Sequence, residues 1–138
     1  MQDDWTGTVP YRHGTDGQPR PYLWLTLTGP NGSSIPIIGL ADSGADKTVL
    51  PRDYINLLGY QPDDLEPTQV GQVEGSAAAW DAKAPCEATV VGVEEVSFQI
   101  YPLFVDTLDP LWGRADFMAA FRVSVSERRQ ELGLHLPA

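Results

Sequence analysis

"GLADSGADKTVLP", residues 39–51, is the stretch whose reading decides the fold. An apolar run from Ile35 to Ala41 breaks at an acid, Asp42. Two small residues, Ser43 and Gly44, follow, and β-branched and apolar types return at Thr48, Val49 and Leu50. Apolar runs bounded by turn residues read as buried strands. An Asp-Ser-Gly turn is ordinary in itself, because Asp and Ser bond nearby backbone amides and Gly takes unusual dihedrals. Its setting is not ordinary. The acid closes an apolar strand, and the small residues after it let backbone N–H groups point back at the carboxylate. A carboxylate fixed in this way has the positioning that general acid–base chemistry needs.

Outward from this turn the chain has the rhythm of an all-β domain, with 13 glycines and 12 prolines punctuating short apolar runs. "YLWLTLTG" (22–29) alternates, with Leu23, Leu25 and Leu27 on one face and Trp24, Thr26 and Thr28 on the other. The turn "GPNGSS" leads back through "IPIIGLA", so 22–41 is expected to be a hairpin. "EATVVGVEEVSFQIYPLFVD" (87–106) reads as a second hairpin, turning at Gly92 to Glu95. Two short helices are expected. One is "RDYINLLG" (52–59), with Gly59 as a left-handed cap, and the other is "RADFMAAF" (114–121), followed by an alternating strand, "RVSVS". The first twenty residues and 60–69 read as arms or loops, and 126–138 as a C-terminal strand or tail. Residues 1–138 are read as a single domain, with no internal repeat.

Composition narrows the function. The net charge of −10 is spread evenly: nine acids and four bases in residues 1–69, ten and five in 70–138. Phosphate neutralisation needs clustered Lys and Arg, so no nucleic-acid partner is expected. No apolar run is long enough to cross a membrane, and none is expected to bind one. A single cysteine, Cys86, rules out an internal disulfide framework and suits a reducing compartment, so a cytoplasmic location is the expectation. "MQDDWTGTVP" has no secretory signal pattern. His13 and His135 stand at opposite ends of the chain with no metal-ligand spacing, and no metal or cofactor is expected.

"ADSGADKTVLP" resembles the active-site loop of retropepsin-like aspartic proteases, Asp-Thr/Ser-Gly-Ala-Asp/Ser-x-Thr/Ser-hydrophobic. "PLWGRADFMAAFRVSV" (110–125) is similar to that family's hydrophobic-hydrophobic-Gly-Arg segment and the helix after it. Two motifs in the right order, with β-rich sequence between them, carry far more than either alone. The resemblance covers roughly residues 20 to 125 and is greatest to bacterial members. It implies a closed β-barrel-like, dimeric acid-protease fold with one or two short helices, and an activity: hydrolysis of peptide bonds.

The resemblance also implies roles. Asp42 matches the catalytic acid, and Ser43 the hydroxyl residue that interlocks with its twin from a second subunit. Gly44 matches the position whose N–H holds the carboxylate, Ala45 continues the loop, and Thr48 occupies the second hydroxyl position. Asp46 matches an acid that pairs with the arginine after the second-motif glycine, here Arg114. Gly113 is expected to lie against the loop where a side chain would block the approach. "QVGQVEGSAAAWDAKAP" (69–85) occupies the interval of the hairpin that closes over substrate. Its tip, Gln72, Val73, Glu74 and Gly75, departs from the family's Gly-hydrophobic-Gly-Gly by carrying Gln72 and Glu74 at glycine positions.

Aspartic-protease chemistry needs two carboxylates, one ionised to take a proton from water and one protonated to polarise the peptide carbonyl. The chain has one Asp-Ser-Gly and is too short for two lobes, so the second acid is expected from an identical chain, in a homodimer acting on a peptide or protein. Two rival readings stand beside this one. One is a catalytically inactive dimerisation or peptide-binding module on the same fold. The other is an acidic β-sandwich that binds sugars or peptides through exposed tryptophans, against which the joint presence of Asp42, Ser43 and Gly44 argues. Trp80 is read as a packed aromatic more readily than a substrate-facing one, Trp112 as core filling, and Cys86 as an inert packed thiol. Lys47 is read as solvated, with a bias toward acidic substrates as the alternative.

Overall fold

The computed structural model describes residues 5–72, 75–106 and 109–135. In chain order the strands are Trp5–Pro10 (β1), Arg12–His13 (β2), Pro19–Arg20 (β3), Tyr22–Thr28 (β4), Ser34–Ala41 (β5) and Val49–Pro51 (β6). After the helix Tyr54–Leu57 (α1) and a 3₁₀ turn at Pro62–Asp64 come Leu65–Gln72 (β7), Gly75–Ala82 (β8), Cys86–Val90 (β9), Val93–Ile100 (β10), Leu103–Val105 (β11) and Leu111–Trp112 (β12). The helix Phe117–Ala120 (α2) precedes Arg122–Ser126 (β13) and Glu131–His135 (β14). The domain is mostly β, as the punctuation of the sequence implies. No described helix is long and apolar enough to cross a membrane.

The main sheet has nine strands in the order β10-β9-β4-β5-β12-β6-β11-β8-β7, and a second sheet has the order β1-β14-β13. The alternation of "YLWLTLTG" sets the inner face of the large sheet: Leu23, Leu25 and Leu27 are fully buried while Trp24 is 36 % exposed. β4 and β5 form the expected hairpin, from Tyr22 opposite Leu40 to Thr28 opposite Ser34. Phe104, Trp112, Phe117, Phe121, Leu132 and Leu134 complete the core, each fully buried side chain of this size contributing about 1.5–3 kcal/mol.

Several expectations are corrected. The sheet is not a closed barrel among the described residues: its end strands β10 and β7 do not pair with one another. Both edges resist closure, since β10 has a register shift between Val93 and Ser97 and β7 carries Pro67, which has no N–H to give. The second hairpin pairs β9 with β10 around Gly92 (φ 95°), but it ends at Ile100. Beyond Pro102 the chain leaves it, and β11 pairs with β6 and β8 instead. The N-terminal residues are not an unpaired arm, because β1 lies along β14. Residues 65–69 belong to a strand, not a loop.

Both helices are shorter than expected. The first ends as expected at Gly59 (φ 79°): Tyr60 N–H bonds Ile55 O at 2.9 Å and Gly59 N–H bonds Asn56 O at 3.1 Å. This is the double bond of a left-handed glycine cap. The second starts only at Phe117: Met118 N–H bonds Gly113 O at 3.2 Å, five residues back, in place of the Arg114 carbonyl that an α-helix from 114 would use.

Candidate active site

β12 is two residues long, yet it positions the site. It lies between β5 and β6, parallel to the first (Trp112 opposite Ala41) and antiparallel to the second (Leu111 opposite Val49). The loop from Asp42 to Thr48 is therefore the link between two strands that do not touch, and it must pass over the end of a third. Leu40 N–H bonds Pro110 O and Asp42 N–H bonds Trp112 O, each at 3.0 Å. These bonds run up to the acid itself, so the strand is fixed to its last residue.

The loop is then held from the second motif. Arg114 N–H bonds Ala45 O and Ala115 N–H bonds Asp46 O, both at 2.9 Å. Gly113 makes this possible: a Cβ there would sit 2.3 Å from Lys47 O and 2.9 Å from Ala45 O, inside van der Waals contact with backbone. Within the loop, Ala45 N–H bonds Asp42 O at 3.1 Å and Gly44 N–H bonds Asp42 Oδ1 at 2.8 Å. The carboxylate is half-buried and oriented by a backbone donor, while Ser43 and Gly44 are exposed beside it.

Arg114 also pairs through its guanidinium with Asp46, as the motif match led us to expect. Both side chains are well exposed, so solvent screening leaves this pair worth no more than about 0–1 kcal/mol. The backbone bonds, not the ion pair, are what hold the two motifs together.

Two participants were not legible in the sequence. Lys47 is not simply solvated: its ammonium pairs with Asp81 of β8, tying the loop to the base of the β7–β8 hairpin. Asp116 sits half-buried beneath the loop, with the Thr48 and Tyr101 backbone N–H groups donating to it. Burial is the largest influence and pushes its carboxyl above the usual range, while hydrogen bonds from Thr48 and Tyr101 and the Lys47 charge pull the other way. The fully buried Thr48 hydroxyl lies against this carboxylate, yet neither Thr48 Oγ1 nor Asp116 Oδ2 has a partner in good hydrogen-bond geometry. The only hint in the sequence was the place of Asp116 within "GRAD".

The structure thus gathers Asp42, Ser43, Gly44, Ala45, Asp46, Thr48, Gly113 and Arg114 into one unit. Gln72 and Gly75 stand apart from it, as the last pair of the β7–β8 hairpin. The tip residues Val73 and Glu74 lie outside the described residues. Trp80 is partly buried, packed against the core and under the Arg52 guanidinium at 5.2 Å, as the packed reading expects. Trp112 is buried, with its indole N–H on Leu23 O at 3.1 Å and its ring against Gly39. Cys86 is buried against the Tyr60 hydroxyl, and burial raises its thiol pKa, as an unreactive thiol requires.

A scan against protein-family models and a search of curated proteins each return no match by sequence. Solved structures do match. A retropepsin-like aspartic protease from Rickettsia conorii superposes with a TM-score of 0.63 at 18% identity, covering 94% of this chain and 91% of that one. The fold is retropepsin-like. The EIAV protease, solved in complex with the inhibitor HBY-793, agrees at a TM-score of 0.53 and 24% identity, over 70% of this chain and 83% of its own. In this fold the acid-bearing loop and the Gly-Arg segment are the two elements already seen bound to each other.

Proposed function

We propose that the chain is an aspartic endopeptidase whose active site is shared by two copies, each contributing Asp42. The observation that carries this reading is the Asp42 carboxylate, held at a strand end by the Gly44 N–H on a loop clamped by Gly113–Ala115. That is the arrangement in which a carboxylate can be brought against its twin without moving. Two like charges about 3 Å apart cannot both ionise cheaply, so such a pair holds one proton between them. The ionised member takes a proton from water as the water oxygen attacks the peptide carbonyl carbon. The protonated member gives its proton to the carbonyl oxygen, and collapse of the tetrahedral species passes a proton to the leaving amine. Ser43 would brace the two loops, and the β7–β8 hairpin would cover an extended peptide and bond its backbone.

Cleavage by the wild type should follow a bell-shaped pH profile with its optimum on the acid side of neutrality, both limbs belonging to the pair. Cleavage per chain should also fall on dilution with the fraction dimerised. Asp42→Asn keeps the shape and removes the ionisation, so it should reduce cleavage by about 10³-fold or more while the dimer persists. Peptide cleavage and sedimentation, measured together on both proteins, decide the matter. Undiminished cleavage by the asparagine variant would end the protease reading. The second reading, an inactive peptide-binding dimer, draws on Gln72 and Glu74 at the tip, and a wild-type dimer that binds peptide but never cleaves it would favour that one.

A further inference from the structure

Between α1 and the root of the β7–β8 hairpin the fold leaves a cavity of about 350 Å³, lined by no residue of the Asp42 loop. Ile55 and Asn56 of α1 form one wall together with Tyr60. This wall is fixed. Arg52 N–H, just before the helix, bonds Val105 O at 2.8 Å, and the Tyr60 hydroxyl donates to Ala84 O at 2.8 Å. The buried Tyr60 ring meets the Phe104 ring edge-on, with centroids 5.2 Å apart. The opposite wall is Leu65, Pro67 and Trp80, and it belongs to the hairpin. Pro67 faces Trp80 across the ladder, one residue short of Ala79, where β11 stops supporting β8. An opening of the outer hairpin therefore pivots beside this wall.

The cavity has the size and the make-up of a small-molecule site, aliphatic and aromatic side chains with few polar groups among them. The Trp80 indole and the Pro62 and Pro67 rings suit a flat apolar body. Asn56 is exposed and offers an amide that can accept a hydrogen bond from a ligand. The charges around the cavity favour a cation. Asp53 precedes α1, Asp63 and Asp64 follow Pro62, and the Arg52 guanidinium is already paired with Asp106. The other base nearby is Lys83, whose backbone N–H bonds Asp64 O. Four acids thus stand against two bases. The Arg52 guanidinium lies over the Trp80 ring at 5.2 Å, so this indole already accepts a flat cation.

We propose that this cavity is a regulatory site for a small aromatic amine, a flat ring carrying an ammonium group, whose binding holds the hairpin against opening. A ligand seated between a fixed wall and a hinged one binds while the walls are close and is lost when they part. Its affinity for the closed arrangement is then added to the cost of opening. The site stands on the cavity and its charges. Its effect on cleavage rests on the shared-acid reading, in which the hairpin opens to admit a peptide.

The probes are tryptamine, indole and indole-3-acetate, the same ring with a positive, no and a negative charge, titrated into the full chain and followed by amide NMR. Tryptamine should shift the amides of Ile55, Asn56, Leu65 and Trp80 with a Kd on the order of 1 mM. Indole-3-acetate should bind at least about fivefold more weakly. Changing both Asp53, which makes no side-chain cap bond, and Asp63 to Asn should close that gap. Asn56→Phe, at an exposed helix position, fills the cavity and should abolish the shifts, with circular dichroism confirming its fold. With tryptamine at about ten times its Kd, exchange of the ladder amides between Gln69 and Ala78 should slow by up to about tenfold. Cleavage should slow with it in the wild type and not respond in Asn56→Phe. No shift at the lining amides up to about 10 mM tryptamine, or shifts that survive Asn56→Phe, overturns the site. Shifts with unchanged hairpin exchange overturn the coupling, and equal binding of the three probes overturns the cationic class. A chain that binds tryptamine and slows its exchange yet cleaves no peptide supports the site and counts against the protease reading alone.

Discussion

The Asp42 loop and the β7–β8 hairpin both join strands of the same sheet, and they are secured in opposite ways. Around Asp42, segments distant in sequence exchange backbone bonds: Trp112 with Asp42, Arg114 with Ala45, Ala115 with Asp46. In the hairpin, a third strand supports β8 only from Ala79 to Asp81. Farther out, Gln69 to Gln72 and Gly75 to Ala78 pair across the hairpin, and among the described residues no third strand extends to them. The difference shows what the fold fixes and what it leaves cheap to open. A local opening of the hairpin breaks one ladder, whereas displacing the loop breaks contacts with β5, β6 and β12 together.

The strongest way to break this comparison is at Gly113. Gly113→Ala forces a Cβ against the Lys47 and Ala45 carbonyls, which are backbone and cannot swing aside. We expect a loss of about 3 kcal/mol or more, at the upper end for overpacking, and loss of cleavage. Thermal unfolding and a peptide assay suffice, and a variant that melts with the wild type would mean that the two motifs are not packed as described. Next in size is the contrast in opening free energy itself. By native-state hydrogen exchange the amides of Asp42, Arg114 and Ala115 should be protected close to the global limit. The ladder amides between Gln69 and Ala78 should open at lower cost, by about 2 kcal/mol or more. Equal protection would remove the distinction.

Much of the rigid region was legible in the sequence because its signals are local. Leu23, Leu25 and Leu27 mark the buried face of β4 by alternation, Asp42 and Gly44 mark the loop by residue type, and Gly59 marks the end of α1 as a glycine after its last apolar turn. What was not legible depends on partners far along the chain. Leu111 and Trp112 have no period of their own, and they form a strand only because β5 and β6 leave a slot. Trp5 meets His135 across nearly the whole sequence, a pairing with no local signature. Residues 65–69 contain Glu66 and Pro67, which read as loop, but the proline is tolerated because β7 is an edge. The length of α2 was overestimated because nothing in "GRAD" announces that Met118 N–H reaches back to Gly113 O and not to Arg114 O.

Lys47 and Asp81 join the two regions and offer a way to sharpen the contrast. The pair is about two-fifths and one-third exposed, so its coupling should be modest, about 0.5–1 kcal/mol in a double-mutant cycle of Lys47→Met and Asp81→Asn. If the pair links loop to hairpin, Lys47→Met should also lower the protection of the inner hairpin amides near Asp81. A coupling within error of zero would leave the hairpin base held by its backbone ladder alone.

The smallest effect, and the one most specific to pH, is expected at Asp116. Its carboxyl is pushed above the usual range chiefly by burial, so the folded chain holds that proton more tightly than the unfolded chain does. The sign follows from linkage: the stabilisation from this group is full below the unfolded pKa, about 3.9, and is lost as pH rises through the higher folded value. Asp116→Asn keeps the shape and carries no charge at any pH. The variant should therefore gain on the wild type as pH rises from acid to neutral, while the two lie closest at the acid end. Melting temperatures of both proteins across that range are the measurement. Parallel curves would show that Asp116 ionises in the folded chain as it does in the unfolded one, and that the loop above it rests on Gly113 and its backbone bonds without help from the buried acid.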